Sequence, residues 1–170
     1  MKLKLMLTVP LLAFCLGFAA CKGTVPVDVV MDGGDVYFVM ESPGEIASIR
    51  VMPRSPAPGQ PALMWELRHD MTVPLDQRKY PSLKQVRYGA GIPELPVSVG
   101  PQELGRDAEY VVMIDMGRTF AQETFVITKD NKLVMPDPAF ERQKGRVYSA
   151  VTDKAGNKEF VCKKADGGKC

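Results

Sequence analysis

Histidine is nearly absent from this 170-residue chain: His69 stands alone, too few imidazoles for a histidine-based metal cluster. Tryptophan is as scarce, with Trp65 the single copy. No Gly-x-Ser-x-Gly elbow, Walker loop or dinucleotide fingerprint occurs, so the common signatures of nucleophilic hydrolysis and of phosphate or dinucleotide binding are missing. A sustained helical period with caps is also lacking, and fourteen prolines work against long helices. His69, followed by Asp70, reads as a surface residue at a strand end, and Asp115 and Glu123 read as solvated carboxylates on sheet rims. The expectation is a chain without catalytic residues, metal or cofactor.

What the sequence does contain begins at its N-terminus. Lys2 and Lys4 precede an apolar stretch over residues 5–20, interrupted by Thr8, Pro10 and Gly17. A basic segment followed by a short apolar one is the pattern of a secretory signal. The stretch is marginal for the roughly 30 Å hydrocarbon core, which needs about 20 apolar residues. Cleavage therefore fits better than a permanent membrane helix. At its end, Phe18-Ala19-Ala20-Cys21 resembles the bacterial lipobox, small residues before a cysteine that takes a diacylglycerol. Cys21 is thus the expected lipidation site, with residues 1–20 as signal and 21–27 as a lipidated tether. An ordinary signal, with Cys21 free or disulfide-bonded, is the alternative. Lys22, where an aspartate commonly marks inner-membrane retention, favours the periplasmic face of the outer membrane.

Four cysteines then reduce to two. Cys15 leaves with the signal and Cys21 is acylated, so Cys162 and Cys170 remain in an oxidising compartment with Asp166-Gly167-Gly168 between them. A disulfide is expected there. Removing Lys2 and Lys4 from the 22 basic residues leaves twenty, equal to the twenty acidic ones. A mature chain of zero formal charge does not suggest a nucleic-acid partner.

Residues 28–170 read as one all-β domain. Val36, Phe38 and Met40 alternate with polar neighbours, as do Ile49 and Val51, Trp65 and Leu67, Val97 and Val99, and Phe125 and Ile127. Tyr110, Val112 and Ile114 do the same, although Val111 and Met113 make that run apolar on both faces. Residues 146–152 and 158–163 flank a turn at Ala155-Gly156-Asn157. Eight or nine short strands predict an antiparallel immunoglobulin-like sandwich, with a small closed barrel as the alternative. Residues 76–91 read as a long loop carrying tyrosine and arginine, types enriched at binding hot spots. Tyr80, Arg87 and Tyr88 are its candidate partner-binding residues.

The order of these features resembles the type VI secretion immunity lipoproteins of the bacterial periplasm. The matching segments are Gly34-Asp35-Val36-Tyr37-Phe38, Ile49-Arg50-Val51, Trp65, Ala108-Glu109-Tyr110-Val111-Val112 and Phe125-Val126-Ile127, after the lipobox. The resemblance implies a lipid-anchored protein that binds a protein toxin delivered into the periplasm and blocks it. The matching positions are scaffold, so no toxin-contacting residue follows from it. An inhibitor of a cell-wall lysing enzyme, or a structural or assembly lipoprotein of the envelope, are the alternative expectations.

Overall fold

The computed structural model describes residues 23–168 and Cys170. The signal segment and Cys21 lie outside the described residues. Twelve strands form: β1 (Gly23–Val25), β2 (Val27–Asp32), β3 (Asp35–Glu45), β4 (Ser48–Pro53), β5 (Trp65–Arg68), β6 (Ser82–Arg87), β7 (Val97–Val99), β8 (Glu109–Met116), β9 (Thr119–Ile127), β10 (Leu133–Val134), β11 (Arg146–Thr152) and β12 (Lys158–Lys164). Two single 3-10 turns, Leu75–Gln77 and Glu141–Gln143, join them.

The strands make three layers. A seven-stranded sheet runs β1-β9-β8-β4-β5-β7, with β10 also on β9. A three-stranded sheet, β2-β3-β6, lies against it. The β11–β12 hairpin covers the other side of the small sheet, where Phe160 packs with Tyr37 and Val39. None of the sheets closes into a barrel, so the fold is the all-β sandwich of the first expectation. Pairing is antiparallel except for β1, which runs parallel to β9.

Turn chemistry explains two of the connections. Asp32 pairs with Asp35 across Gly33-Gly34, whose φ values of 61° and 90° belong to the two-residue hairpin turn that only glycine enters without a Cβ penalty. Met116 pairs with Thr119 across Gly117-Arg118, and there only the first residue is left-handed, φ 72°.

Between the two sheets lies the main core. Val27, Val29, Val36, Phe38, Met40 and Val86 from the small sheet meet Ile49, Val51, Trp65, Leu67, Tyr110, Val112, Ile114 and Phe125 from the large one. The rings chain across it: Trp65 to Phe38 at 6.4 Å, Phe38 to Phe125 at 6.0 Å, and Phe125 to Tyr110 at 5.6 Å between centroids.

Two boundaries differ from the sequence reading. Gly23–Val25, expected in a tether, is a strand, and Val27 is wholly buried; three residues of small or β-branched type are enough to add an edge to β9. Residues 76–91, expected as a loop, contain β6, paired with β3 through Phe38–Val86 and Tyr37–Arg87. Only Val86 of β6 is buried, and its polar neighbours hid the alternation.

Candidate partner-binding face

The seven-stranded sheet has one face in the core and one toward solvent. Because side chains alternate along a strand, the register sets which residues share the outer face. Met52 pairs with Val111 and Arg50 with Met113; Val111 pairs with Thr124, Met113 with Gln122 and Asp115 with Phe120. Met52, Val111, Met113, Phe120 and Val126 are all partly exposed. The apolar outer residues of β8, legible as Val111 and Met113 in the sequence, are thus the centre of an open surface. A shallow depression of about 260 Å³ sits on it between Arg50, Met113 and Phe120.

A fixed ion cluster borders the apolar strip. Glu66 is buried, its carboxylate 2.8 Å from Arg50 Nε and 3.8 Å from Arg68 Nε. The Arg50 contact is an ion pair without hydrogen-bond alignment. Both guanidinium groups stay near half exposed, so they cover the carboxylate while still presenting cationic edges outward. A carboxylate this buried requires such partners.

The three residues proposed from sequence do not form one surface. Tyr88 turns inward: its ring meets Trp65 edge-on at 5.3 Å, and its hydroxyl reaches the carbonyls of Gln102 at 2.8 Å and Met64 at 3.0 Å. Burial pushes its phenol up to about 12. Arg87 is exposed and pairs with Asp35 at 3.5 Å. Tyr80 lies at the other end of β6, its ring edge-on to His69 at 5.2 Å. Strand rise of about 3.3 Å per residue separates Tyr80 from Tyr88 by roughly 26 Å.

His69 is half-buried, and its Nε2 lies 2.5 Å from the Lys79 carbonyl, closing the base of the 70–79 loop. Asp115 and Glu123 do not meet. Asp115 is on the outer face, accepting a hydrogen bond from the Gly117 amide at 2.8 Å, whereas Glu123 points inward and is 2 % exposed. Cys162 and Cys170 are bridged, with Cα atoms 5.9 Å apart, and Gly167 at φ 85° turns the chain between them.

Sequence reading missed the largest polar feature, a buried cluster that fastens the C-terminal hairpin. Asp28 accepts hydrogen bonds from Arg146 Nη1 at 2.7 Å, Tyr148 Oη at 2.6 Å and Gln143 Nε2 at 3.2 Å. Gln143 Nε2 also lies 3.1 Å from Glu123 Oε2 and 2.9 Å from the Val27 carbonyl. Arg146 donates as well to Glu41, which holds Arg142 at 3.2 Å. Burial works against the Arg146 charge, but Glu41 and Asp28 outweigh it and hold its pKa above the usual value. Burial, with the Asp28 hydrogen bond, raises that of Tyr148. These groups lie up to 120 residues apart in sequence, so no local motif could have announced them.

Among the described residues no three His, Cys, Asp or Glu side chains gather in a way that could hold a metal ion. A cavity of about 610 Å³ opens where Glu41 and Gly44 of β3 approach Val25 and the Gly117-Arg118 turn; its lining mixes carboxylate, guanidinium and aliphatic groups and includes Tyr80. Compared with known proteins, the chain matches no family model, no curated protein and no solved structure.

Proposed function

We propose that this chain is a lipid-anchored binding protein of the periplasm, without turnover of its own, that neutralises an incoming toxic enzyme by covering it. The open face of the large sheet carries the reading. It offers a flat apolar strip, Met52, Val111, Met113 and Phe120, beside the Arg50–Glu66–Arg68 cluster, on a scaffold whose strands are already ordered. Apolar centre and arginine edge are the composition of binding hot spots. The resemblance to immunity lipoproteins and the lipobox ending at Cys21 point the same way.

Size sets how the face is used. Four strand spacings of about 4.8 Å by six residues of about 3.3 Å span roughly 400 Å², half of the 800 Å² or so that a standard interface takes from each partner. The partner must therefore also reach residues at the rim of the sheet.

Survival of a deletion strain beside toxin-delivering sister cells tests this. Wild type is expected to restore survival, as is His69→Ala. Val111→Asp/Met113→Asp, shown to be folded and exported, is expected to fail, its affinity for the toxin lowered about thirty-fold or more, the cost of about 2 kcal/mol for a charge placed in a dry interface centre. Full protection by that variant overturns the face; unchanged survival on deletion overturns the function.

A further inference from the structure

The registers place the start of β1 and the longest apolar-tipped loop at the same end of the molecule. One row crosses the large sheet from Thr24 through Phe120, Asp115 and Ser48 to Arg68. At this end β1 begins, two residues after Cys21, a distance of at most about 7 Å of extended chain. At this end too the chain leaves β5 for the loop of residues 69–81. Four strand spacings of about 4.8 Å put the two points roughly 19 Å apart, side by side.

That loop carries the two most exposed of the exposed large hydrophobics, Leu75 at 73 % and Met71 at 69 %. It is also pre-ordered. Arg78 donates from Nε to the Val73 carbonyl at 2.8 Å and from Nη2 to the Met71 carbonyl at 3.0 Å. Asp70 accepts from the Thr72 amide at 2.8 Å, and the His69–Lys79 contact closes the base. Displaying apolar side chains on a loop held this firmly avoids most of the ordering cost of binding. Charge along residues 68–79 is nearly balanced, with Arg68, Arg78 and Lys79 against Asp70 and Asp76. Attraction to a surface would therefore be apolar and insensitive to salt.

We infer that Met71 and Leu75 form a second membrane contact, entering the bilayer interface beside the lipid of Cys21 and standing the domain upright. The inference rests on the lipid anchor of the proposed function. A lipid on Cys21 brings this end of the domain to the bilayer, because β1 begins at Gly23, two residues along the chain from Cys21. It also turns the sheet face sideways to the membrane, open to a partner arriving from the periplasm.

The test uses the lipoprotein purified from membranes and reconstituted into phosphatidylcholine vesicles with brominated chains. Trp65 is the only tryptophan and is fully buried, so Leu75→Trp adds one exposed reporter, and Val134→Trp adds one at the opposite end of the sheet. The added Leu75→Trp emission is expected to shift blue and to lose about half its intensity, as befits a depth of about 5–10 Å, unchanged by high salt; the Val134→Trp emission is expected to stay. Equal, weak quenching of both on vesicle-bound protein overturns the loop contact and leaves the anchor standing. If the N-terminal peptide carries no lipid by mass spectrometry, the anchor reading fails, and coupling Cys21 to a maleimide phospholipid repeats the quenching measurement. A Leu75→Trp emission that lipid leaves unchanged and a protein partner shifts assigns the loop to protein binding and overturns the proposal.

Discussion

The small sheet is packed against a neighbour on each face, by two different kinds of chemistry. Toward the large sheet, Val27, Val29, Val36, Phe38 and Met40 present only hydrocarbon, aromatic and thioether groups. Toward the β11–β12 hairpin, the alternate residues of the same strands include Asp28, Asp32 and Glu41, which meet Arg146, Lys158 and Arg142, with Tyr37, Val39 and Phe160 as a small apolar patch. The first interface needs shape. The second needs a specific partner at Asp28, because a charge taken from water is tolerated only when paired, and Arg146 and Asp28 are buried together while the other two pairs stay partly exposed. One strand thus holds one neighbour by volume and another by charge.

The largest effect tests the apolar side. Trp65→Ala is expected to lower unfolding free energy by about 3–5 kcal/mol in urea titrations, the range for a large aromatic removed from a core; a loss below about 1 kcal/mol would mean the two sheets can repack. Asp28→Ala comes next, removing the carboxylate shared by Arg146, Tyr148 and Gln143. A buried pair broken on one side costs about 3–5 kcal/mol, and here it is expected to appear first as lost amide protection across β11 and β12, with β8 and β9 still protected. Simultaneous loss in both regions would merge the two interfaces into one cooperative unit.

Opening the terminal bridge is milder. Cys162→Ser/Cys170→Ser is expected to cost about 2–3 kcal/mol at most, the chain-entropy value for so short a loop, again within the hairpin. The smallest effect is alkaline. The fold holds the Tyr88 phenol neutral, up to about 12 against 10.0 for the free group, so its contribution is complete below pH 10.0 and is lost as pH rises through about 12. Tyr148 is raised as well. Tyr88 and Tyr148 are then expected to titrate late in an ultraviolet difference titration, the late phase losing one tyrosine in Tyr88→Phe and one in Tyr148→Phe. A late phase that neither substitution reduces would contradict both placements.

Reading β-strands from alternation worked where one face is apolar and the other polar. It found the strands around Phe38, Ile49, Trp65, Tyr110 and Phe125, and the terminal hairpin with its Gly156 turn. The method failed at β2 and β6 for opposite reasons. In β2, Val27-Asp28-Val29-Val30-Met31 has no polar solvent face, since both sides are covered. In β6, Ser82-Leu83-Lys84-Gln85-Val86-Arg87 is mostly polar because its outer residues serve the hairpin, with Gln85 Oε1 accepting from the Phe160 amide at 3.2 Å. The sequence reading therefore took that strand for part of a loop.

Local sequence was therefore enough to settle the all-β class, the tight turn at Gly156, the inward set of core side chains and the pairing of the last two cysteines. Each of these depends on neighbours a few residues apart, where backbone sterics and side-chain alternation act. Which face of the large sheet stays open, which tyrosine turns inward and which carboxylates are buried were decided by packing between distant strands. Asp28 and Asp115 look alike in sequence, but only the arrival of Arg146 and Tyr148 from the far end of the chain makes one of them an interior charge.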